Sequence, residues 1–430
     1  MAHMRLPPGR VMSLTSDVVA RPQTAVPISY DQRRHASAGD RPGSWMALAF
    51  RLEADLPLDH VPRAWAAVVA RHGTLRTRFV DGSDGLDLQA VDVTIGDWQH
   101  HPALADESTR AVVRRVLDAT CRPFGTPSHR LCVVLPDPGD DDPRPVLVVA
   151  ADHCHLDMWS LLVLLRDLRT CLGDLVAGRE PAAALPPAEP FAEHTRRLAA
   201  QDAAPADVTA RWADVLAHGG GSLPRFPLPL GDVSTPRAEV VEVRDVLDAD
   251  GLDALEKRAA DHGVRVTALA LAEVAAATRD LSGQPLRAVF PVHSRHEPVW
   301  HGSVGWFITN SVLECGEITP AACAAALRES LALGSYPLAP ILGHLDRELS
   351  PPGMFALSWL DTRRLPSVPD GLDVQYVSAV VCTDGVMAWF LAGDSGLHVR
   401  CRYPDTPEAR ESVPRWLDAI GRRLRDTTAP

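Results

Sequence analysis

The richest chemistry in this chain lies in one short run, Asp152-His153-Cys154-His155-Leu156-Asp157-Met158-Trp159-Ser160. Imidazole is the side chain whose ordinary pKa lies nearest neutrality, so a histidine here can take up and return a proton during a reaction. His153 and Asp157 stand in H-x-x-x-D spacing. His153-x-His155-x-Asp157 also spells the H-x-H-x-D string of some metallohydrolases, but the histidine those enzymes need next is Met158. With no second ligand set downstream, no metal site is expected. Cys154 is a nucleophile only as a thiolate, and no residue type beside it marks one, so a small buried filler is the better reading.

The flanking residues dictate how this cluster is held. Val146 to Ala150 is a short apolar run of the kind that forms a buried strand. Beyond the cluster, Leu161, Leu164, Leu165, Leu168, Leu172 and Leu175 recur at helical spacing, with Arg166, Asp167 and Arg169 on the other side. The cluster is therefore a strand-turn-helix corner at the end of a buried strand, where desolvation and neighbouring charge tune pKa values. Side chains alternate along an extended turn, which points His155 away from His153 and into packing. Trp159 and Ser160 fit a role in starting the helix.

Elsewhere, Asp59 is expected to cap a helix carrying Pro62 in its first turn and Trp65, Val68 and Val69 on its apolar stripe, with Gly73 as the stop. Leu75 to Phe79 alternates like a strand. Pro136 to Pro145 is a proline-broken surface loop. A helical region over 190–217 ends at Gly219-Gly-Gly-Ser222, and the Pro-rich stretch to 237 reads as a connection. Helices over 249–263 and 266–281 precede a strand from Leu286 to Val292. Gly219 to Leu223 imitates the attachment sequence of carrier proteins, but the helical domain that should surround that serine is missing.

At 430 residues the chain exceeds what one core usually supports, so two lobes of roughly 200 residues each are expected. Hydrophobic residues at 46% and charged residues at 23% are ordinary for a globular protein. A net charge of -12 argues against nucleic acid as partner, and no apolar run approaches the ~20 residues of a membrane span. Eight cysteines without C-x-x-C spacing suggest reduced thiols rather than a zinc or redox motif. Met1 to Met4 looks like a cloning remnant, and the residues after it are rich in Pro and Arg rather than an apolar leader, so a cytoplasmic location is expected. Lys257 is the only lysine.

The run His153-x-x-x-Asp157 followed by Trp-Ser resembles the HHxxxDG(W)S signature of nonribosomal peptide synthetase condensation domains and their relatives, which include free-standing condensation enzymes. Four more elements match in order. Pro27-Ile-Ser-Tyr-Asp-Gln-Arg-Arg34 is similar to the family's S-x-A-Q-x-R opening, with Asp31 in place of alanine. Arg71-His-Gly-Thr-Leu-Arg-Thr-Arg-Phe79 is close to its R-H-E-x-L-R-T-x-F element. Pro291-Val-His-Ser-Arg295 resembles the strand end that supplies an arginine. Val304-Gly-Trp-Phe-Ile-Thr-Asn310 resembles V-G-x-F-x-N-T with the last two residues exchanged.

The resemblance implies an α/β (α+β) fold of two lobes, each like chloramphenicol acetyltransferase, forming a V with a central tunnel. Residues 1–185 would be the N-terminal lobe carrying the motif, 186–237 a connecting helix and linker, and 238–430 the C-terminal lobe, with Tyr376 to Val399 crossing between lobes. It implies acyl transfer from a carrier-bound phosphopantetheinyl thioester to an amine or alcohol, making an amide or ester in natural-product biosynthesis. His153 would be catalytic, with Asp157 and Arg295 paired to hold the loop. Asp152, His155, Met158, Trp306 and Asn310 would lie in the tunnel or behind the site.

Partners implied are an acyl or peptidyl carrier protein and a small-molecule or carrier-bound acceptor. No cofactor is expected to be bound, since the donor arrives on the phosphopantetheine of a separate carrier. Two positions depart from the signature: Asp152 replaces the first histidine and Met158 the glycine. Relatives with altered signatures include non-catalytic platforms that recruit partner enzymes, and that reading stays open at this stage.

Overall fold

The computed structural model describes residues 4–82, 85–201, 203–343 and 351–429, without the side chains of residues 22–24. Met1 to His3, part of the expected remnant, lie outside the described residues. The chain divides into two compact units, one formed by residues 1–200, 295–307 and 366–380 and the other by 201–294, 308–365 and 381–430.

The first unit carries β1 (Gly9–Val26), α1 (Tyr30–Ala36), β2 (Trp45–Arg51), α2 (Val61–Arg71), β3 (Thr77–Gly82), β4 (Gly85–His101), α3 (Thr109–Thr120), β5 (His129–Pro136), β6 (Val146–Asp152), α4 (Met158–Val176) and α5 (Phe191–Ala199). The second carries α6 (Ala206–His218), β7 (Arg237–Leu247), α7 (Ala249–Asp261), α8 (Val266–Ser282), β8 (Leu286–His293), β9 (Ile308–Cys315), α9 (Pro320–Leu333), α10 (Leu338–Leu342) and β10 (Phe355–Asp361). The chain then returns to the first unit as β11 (Gln375–Ser378). It ends in the second as β12 (Cys382–Thr383), β13 (Val386–Gly393), β14 (Gly396–Pro404) and α11 (Pro407–Thr428).

Each unit is built on one sheet. Among the described residues these are seven-stranded, ordered β11-β2-β6-β5-β1-β4-β3 and β12-β7-β14-β13-β10-β8-β9. The paired strands of the first are antiparallel, while β10 runs parallel to both β8 and β13 in the second. β6 is buried along its whole length between β2 and β5, which is why Val146 to Ala151 reads as an unbroken apolar run rather than an alternating one. Leu161, Leu164, Leu165, Leu168 and Leu172 of α4 are all buried.

Several local expectations need correction. Asp59 does not cap α2: a 3-10 turn over Leu58–His60 leads into it, and no side chain bonds its first amides. Leu75 belongs to a second 3-10 turn, Gly73–Arg76, so the strand begins at Thr77. The helical region over 190–217 is two helices, broken before Pro205, which precedes α6. The stretch before residue 237 is not a bare connection, because Leu223, Phe226, Leu228 and Leu230 are buried. Phe226 meets Phe355 and Trp416 edge to face at 5.2 and 5.4 Å. Within Tyr376 to Val399, β11 pairs with the first sheet, where Val377 faces Ala47 and the Ala379 amide donates to the Trp45 carbonyl, and β12 and β13 pair in the second. Among the described residues no helix is long and apolar enough to cross a membrane.

Candidate active site

β6 ends at Asp152, and a single 3-10 turn, His153–His155, changes the direction of the chain before α4. Asp157 is the N-cap of α4, accepting from the Ser160 amide at 2.8 Å. Strand, turn and cap thus place four functional side chains within six residues, and each points to a different set of partners.

The His153 imidazole is half-buried. Its Nδ1 lies 2.9 Å from the Leu156 carbonyl oxygen. A carbonyl can only accept, so Nδ1 carries the proton and Nε2 presents its lone pair. Among the described residues nothing bonds Nε2. One face of the ring stacks on Trp306, with centroids 4.1 Å apart and planes 11° from parallel. Burial, with the His35 ring adding to it, lowers the pKa of His153 below the usual histidine value, so the imidazole is neutral at pH 7.

Asp152 is fully buried. His35 Nε2 and the Cys154 amide meet its Oδ1 at 3.0 Å each, and the Ser44 hydroxyl bonds Oδ2. Burial alone would push this carboxyl up. The bonds from His35, Cys154 and Ser44 outweigh it and hold the group at about 2, as the anion.

Asp157 faces the other way and pairs with Arg295, whose Nη2 lies 3.1 and 3.3 Å from its two oxygens. Both side chains are buried. Arg295 also donates to the carbonyls of Trp300 and Ser303 at 2.7 and 2.8 Å and to Ser160 Oγ at 2.8 Å, with its guanidinium 3.8 Å over the Phe307 ring. The Phe307 amide donates to Asp157 Oδ2 at 3.0 Å, and the Gly305 amide to Ser160 Oγ at 3.1 Å. Asp157, Ser160 and Arg295 therefore fasten the whole segment 295–307, and that segment carries the Trp306 against which His153 lies.

His155 is buried and turned away from His153, with Nδ1 3.5 Å from Thr77 Oγ1 and its ring beside Phe79 at 5.8 Å. Burial lowers its pKa to about 4. With His155 among Thr77 and Phe79 and Asp157 committed to Arg295, the H-x-H-x-D string does not converge on one point. Burial raises the Cys154 thiol well above its usual value, which keeps it protonated and unreactive. Met158 opens α4 with no positive φ, so the position demands no glycine. Asn310 belongs to the second unit, on β9 opposite Pro291.

Two groups were not anticipated, His35 and Ser44. The signal for His35 was its position three residues after Gln32, on the same face of a helix. Gln32 Nε2 donates to the Cys154 carbonyl at 2.9 Å, so α1 grips the turn through both side chains. Beside this junction is a cavity of about 140 Å3, lined among others by Gln32, Thr74, Thr77, Leu88, Val91 and Phe191.

The condensation-domain family profile matches residues 23–315, a span that contains the entire constellation. The chain belongs to the condensation-domain family. It is 26% identical over 372 residues to the acyltransferase PapA3 of Mycobacterium tuberculosis, a match covering 82% of this chain and 77% of that protein. In fold it is similar to the PapA2 acyl transferase, with a TM-score of 0.86, 21% identity, and 100% and 99% of the two chains covered. The first condensation domain of the calcium-dependent antibiotic synthetase superposes with a TM-score of 0.71 at 16% identity, covering 95% of this chain and 97% of that one. The two units are thus the paired lobes of the condensation fold, and this condensation-family chain is an acyltransferase enzyme.

Proposed function

We propose that this enzyme transfers an acyl group from a thioester on the phosphopantetheine arm of an acyl or peptidyl carrier protein to an amine or alcohol. The product would be an amide or ester of natural-product biosynthesis. The observation that carries the reading is the His153 ring, with Nδ1–H tied to the Leu156 carbonyl and a neutral, unbonded Nε2.

A thioester is already activated, so the enzyme has mainly to orient the nucleophile and relieve it of its proton. The acceptor's lone pair attacks the thioester carbonyl while Nε2 of His153 takes its proton. The tetrahedral adduct then collapses, the carbon–sulfur bond breaks, and the proton passes from Nε2 to the departing sulfur. Ser160, Asp157 and Arg295 take no part in proton transfer and keep Trp306 in place beneath the ring. The arm and its acyl load belong to the carrier, and the enzyme needs no resident cofactor of its own. The eight cysteines are free thiols, which supports a reducing compartment such as the cytoplasm.

The decisive experiment is mass spectrometry of products formed from a panel of acylated carrier proteins, comparing wild type with His153→Ala. Wild type should form product and the variant should lose about 10²–10⁴-fold in rate. The base must be unprotonated and burial lowers its pKa, so the acidic limb of kcat/KM should lie below pH 6.5. Tight partner binding with no turnover by either protein would instead identify a recruiting platform.

A further inference from the structure

We propose that Asp152 and His35 are positioning residues for His153, forming with Ser44 a buried brace that keeps Nε2 of His153 on the reacting hydroxyl or amine. The inference rests on the acyl-transfer reading above and assigns that site its supports.

The brace is defined by what it joins. Asp152 is the last residue of β6, and its carboxylate reaches three separate places: the side chain of α1 through His35, the approach to β2 through Ser44, and the turn itself through the Cys154 amide. The His153 amide in turn donates to the Ser44 carbonyl at 3.0 Å, so both neighbours of the His153 Cα are anchored to one point. His35 stands edge-on to the His153 ring at 6.2 Å and to Trp306 at 5.3 Å, so it flanks the stacked pair and touches both rings.

His35 is not itself a proton carrier for substrate, because both its nitrogens are engaged. Arg41 Nη2, which can only donate, lies 3.3 Å from Nδ1, which leaves Nε2 as the N–H that meets Asp152. The ring transmits position. Fixing an imidazole in this way matters because a misplacement of about 1 Å at a reacting group costs about a hundredfold in rate.

The brace also brings charge. The titratable and charged groups around His153 are Asp152, Cys154 and His155 on its own turn, His35 from α1 and Arg41 just after it. Trp306, from the facing segment, is uncharged. Of these, the Asp152 carboxylate is the anion, and it favours the imidazolium of His153. Removing that charge while keeping the bonds should therefore make His153 easier to deprotonate. Asp152→Asn is the suitable change: its oxygen still accepts from His35 and the Cys154 amide, and its NH2 can meet the Ser44 hydroxyl.

The test is steady-state kinetics across pH on wild type, Asp152→Asn and His35→Ala, together with NMR titration of the His153 ring in the same proteins. Asp152→Asn should keep kcat within about tenfold of wild type and move the acidic limb and the His153 titration to lower pH. His35→Ala should lower kcat about tenfold to a hundredfold with KM changed little, and should broaden or shift the Nδ1–H signal. The proposal is overturned if His35→Ala leaves kcat intact, or if Asp152→Asn leaves the His153 titration where it was. Should His35→Ala fail to fold, the Asp152→Asn titration decides alone. If no protein forms product from any donor, the acyl-transfer reading fails, while the NMR titrations still decide the brace.

Discussion

At the scale of single residues, the site is an imidazole with every degree of freedom taken up except one lone pair. Trp306 supplies much of that restraint, and an aromatic pair of this kind contributes about 0.5–1.5 kcal/mol beyond its buried area. Trp306→Ala should therefore reduce kcat by up to about tenfold with little change in KM, whereas Trp306→Phe, which keeps a ring under His153, should stay near wild type. Equal loss in both variants would show that the stack does not orient the base. The Asp157–Arg295 pair was expected from the resemblance of the H-x-x-x-D run and of the Pro291 to Arg295 strand end to condensation-domain elements. His35 and Ser44 were not. They lie more than a hundred residues before Asp152, and although His35 shares a helix face with Gln32, nothing local ties that face, or Ser44, to this corner. A buried aspartate that must find donors was the available clue, since an unpaired carboxylate at that depth is too costly to persist.

At the scale of elements, the corner between β6 and α4 is gripped from both sides, and the two grips differ in kind. The Asp157–Arg295 side is a buried ion pair with further bonds to Ser160, Trp300, Ser303 and Phe307. Removing one partner leaves the other charge stranded, so Asp157→Ala should destabilise the protein by about 3–5 kcal/mol in urea unfolding. The side toward β3 and β5 is neutral. His155 and His129 are buried there, each with a ring nitrogen that has no hydrogen-bond partner among the described residues, and burial lowers them to about 4 and about 3.

These histidines bind protons more readily unfolded than folded, so stability should be full above pH 6.5 and fall as pH drops from there toward 4. The combined loss should be on the order of a few kcal/mol. A His129→Gln/His155→Gln double variant should have a shallower dependence over that window, measured as unfolding midpoint against pH. The elements themselves were partly readable. The buried β6 and the leucine face of α4 announce themselves by pattern. The long antiparallel pair of β1 and β4 does not, because its burial is irregular and its polar and apolar residues follow no clean alternation.

At the scale of the whole molecule, chain order and structural unit are not the same thing. The first unit is completed by residues 295–307 and 366–380, which come after the chain's first and second passages through the second unit. A linear reading of composition, which divides the chain near a Pro-rich stretch, has no means of seeing such a return, because the returning pieces look like ordinary loops and a short strand. The consequence is physical. Without residues 295–307, Asp157 and Ser160 lose Arg295 and the amides of Gly305 and Phe307. Without β11, the edge of β2 is left unpaired along Met46 to Ala49. A fragment ending at Ala200 should accordingly fail to reach a cooperative fold, showing a broad thermal transition by circular dichroism and rapid proteolysis, although it contains His153 and most of its sheet. Supplying residues 201–430 as a separate chain should restore a sharp transition, because the missing arginine and edge strand are then available. A fragment of residues 1–200 that melts cooperatively by itself would mean that the returning segments merely decorate the unit, and that its corner is held by the bonds to α1 and β2 alone.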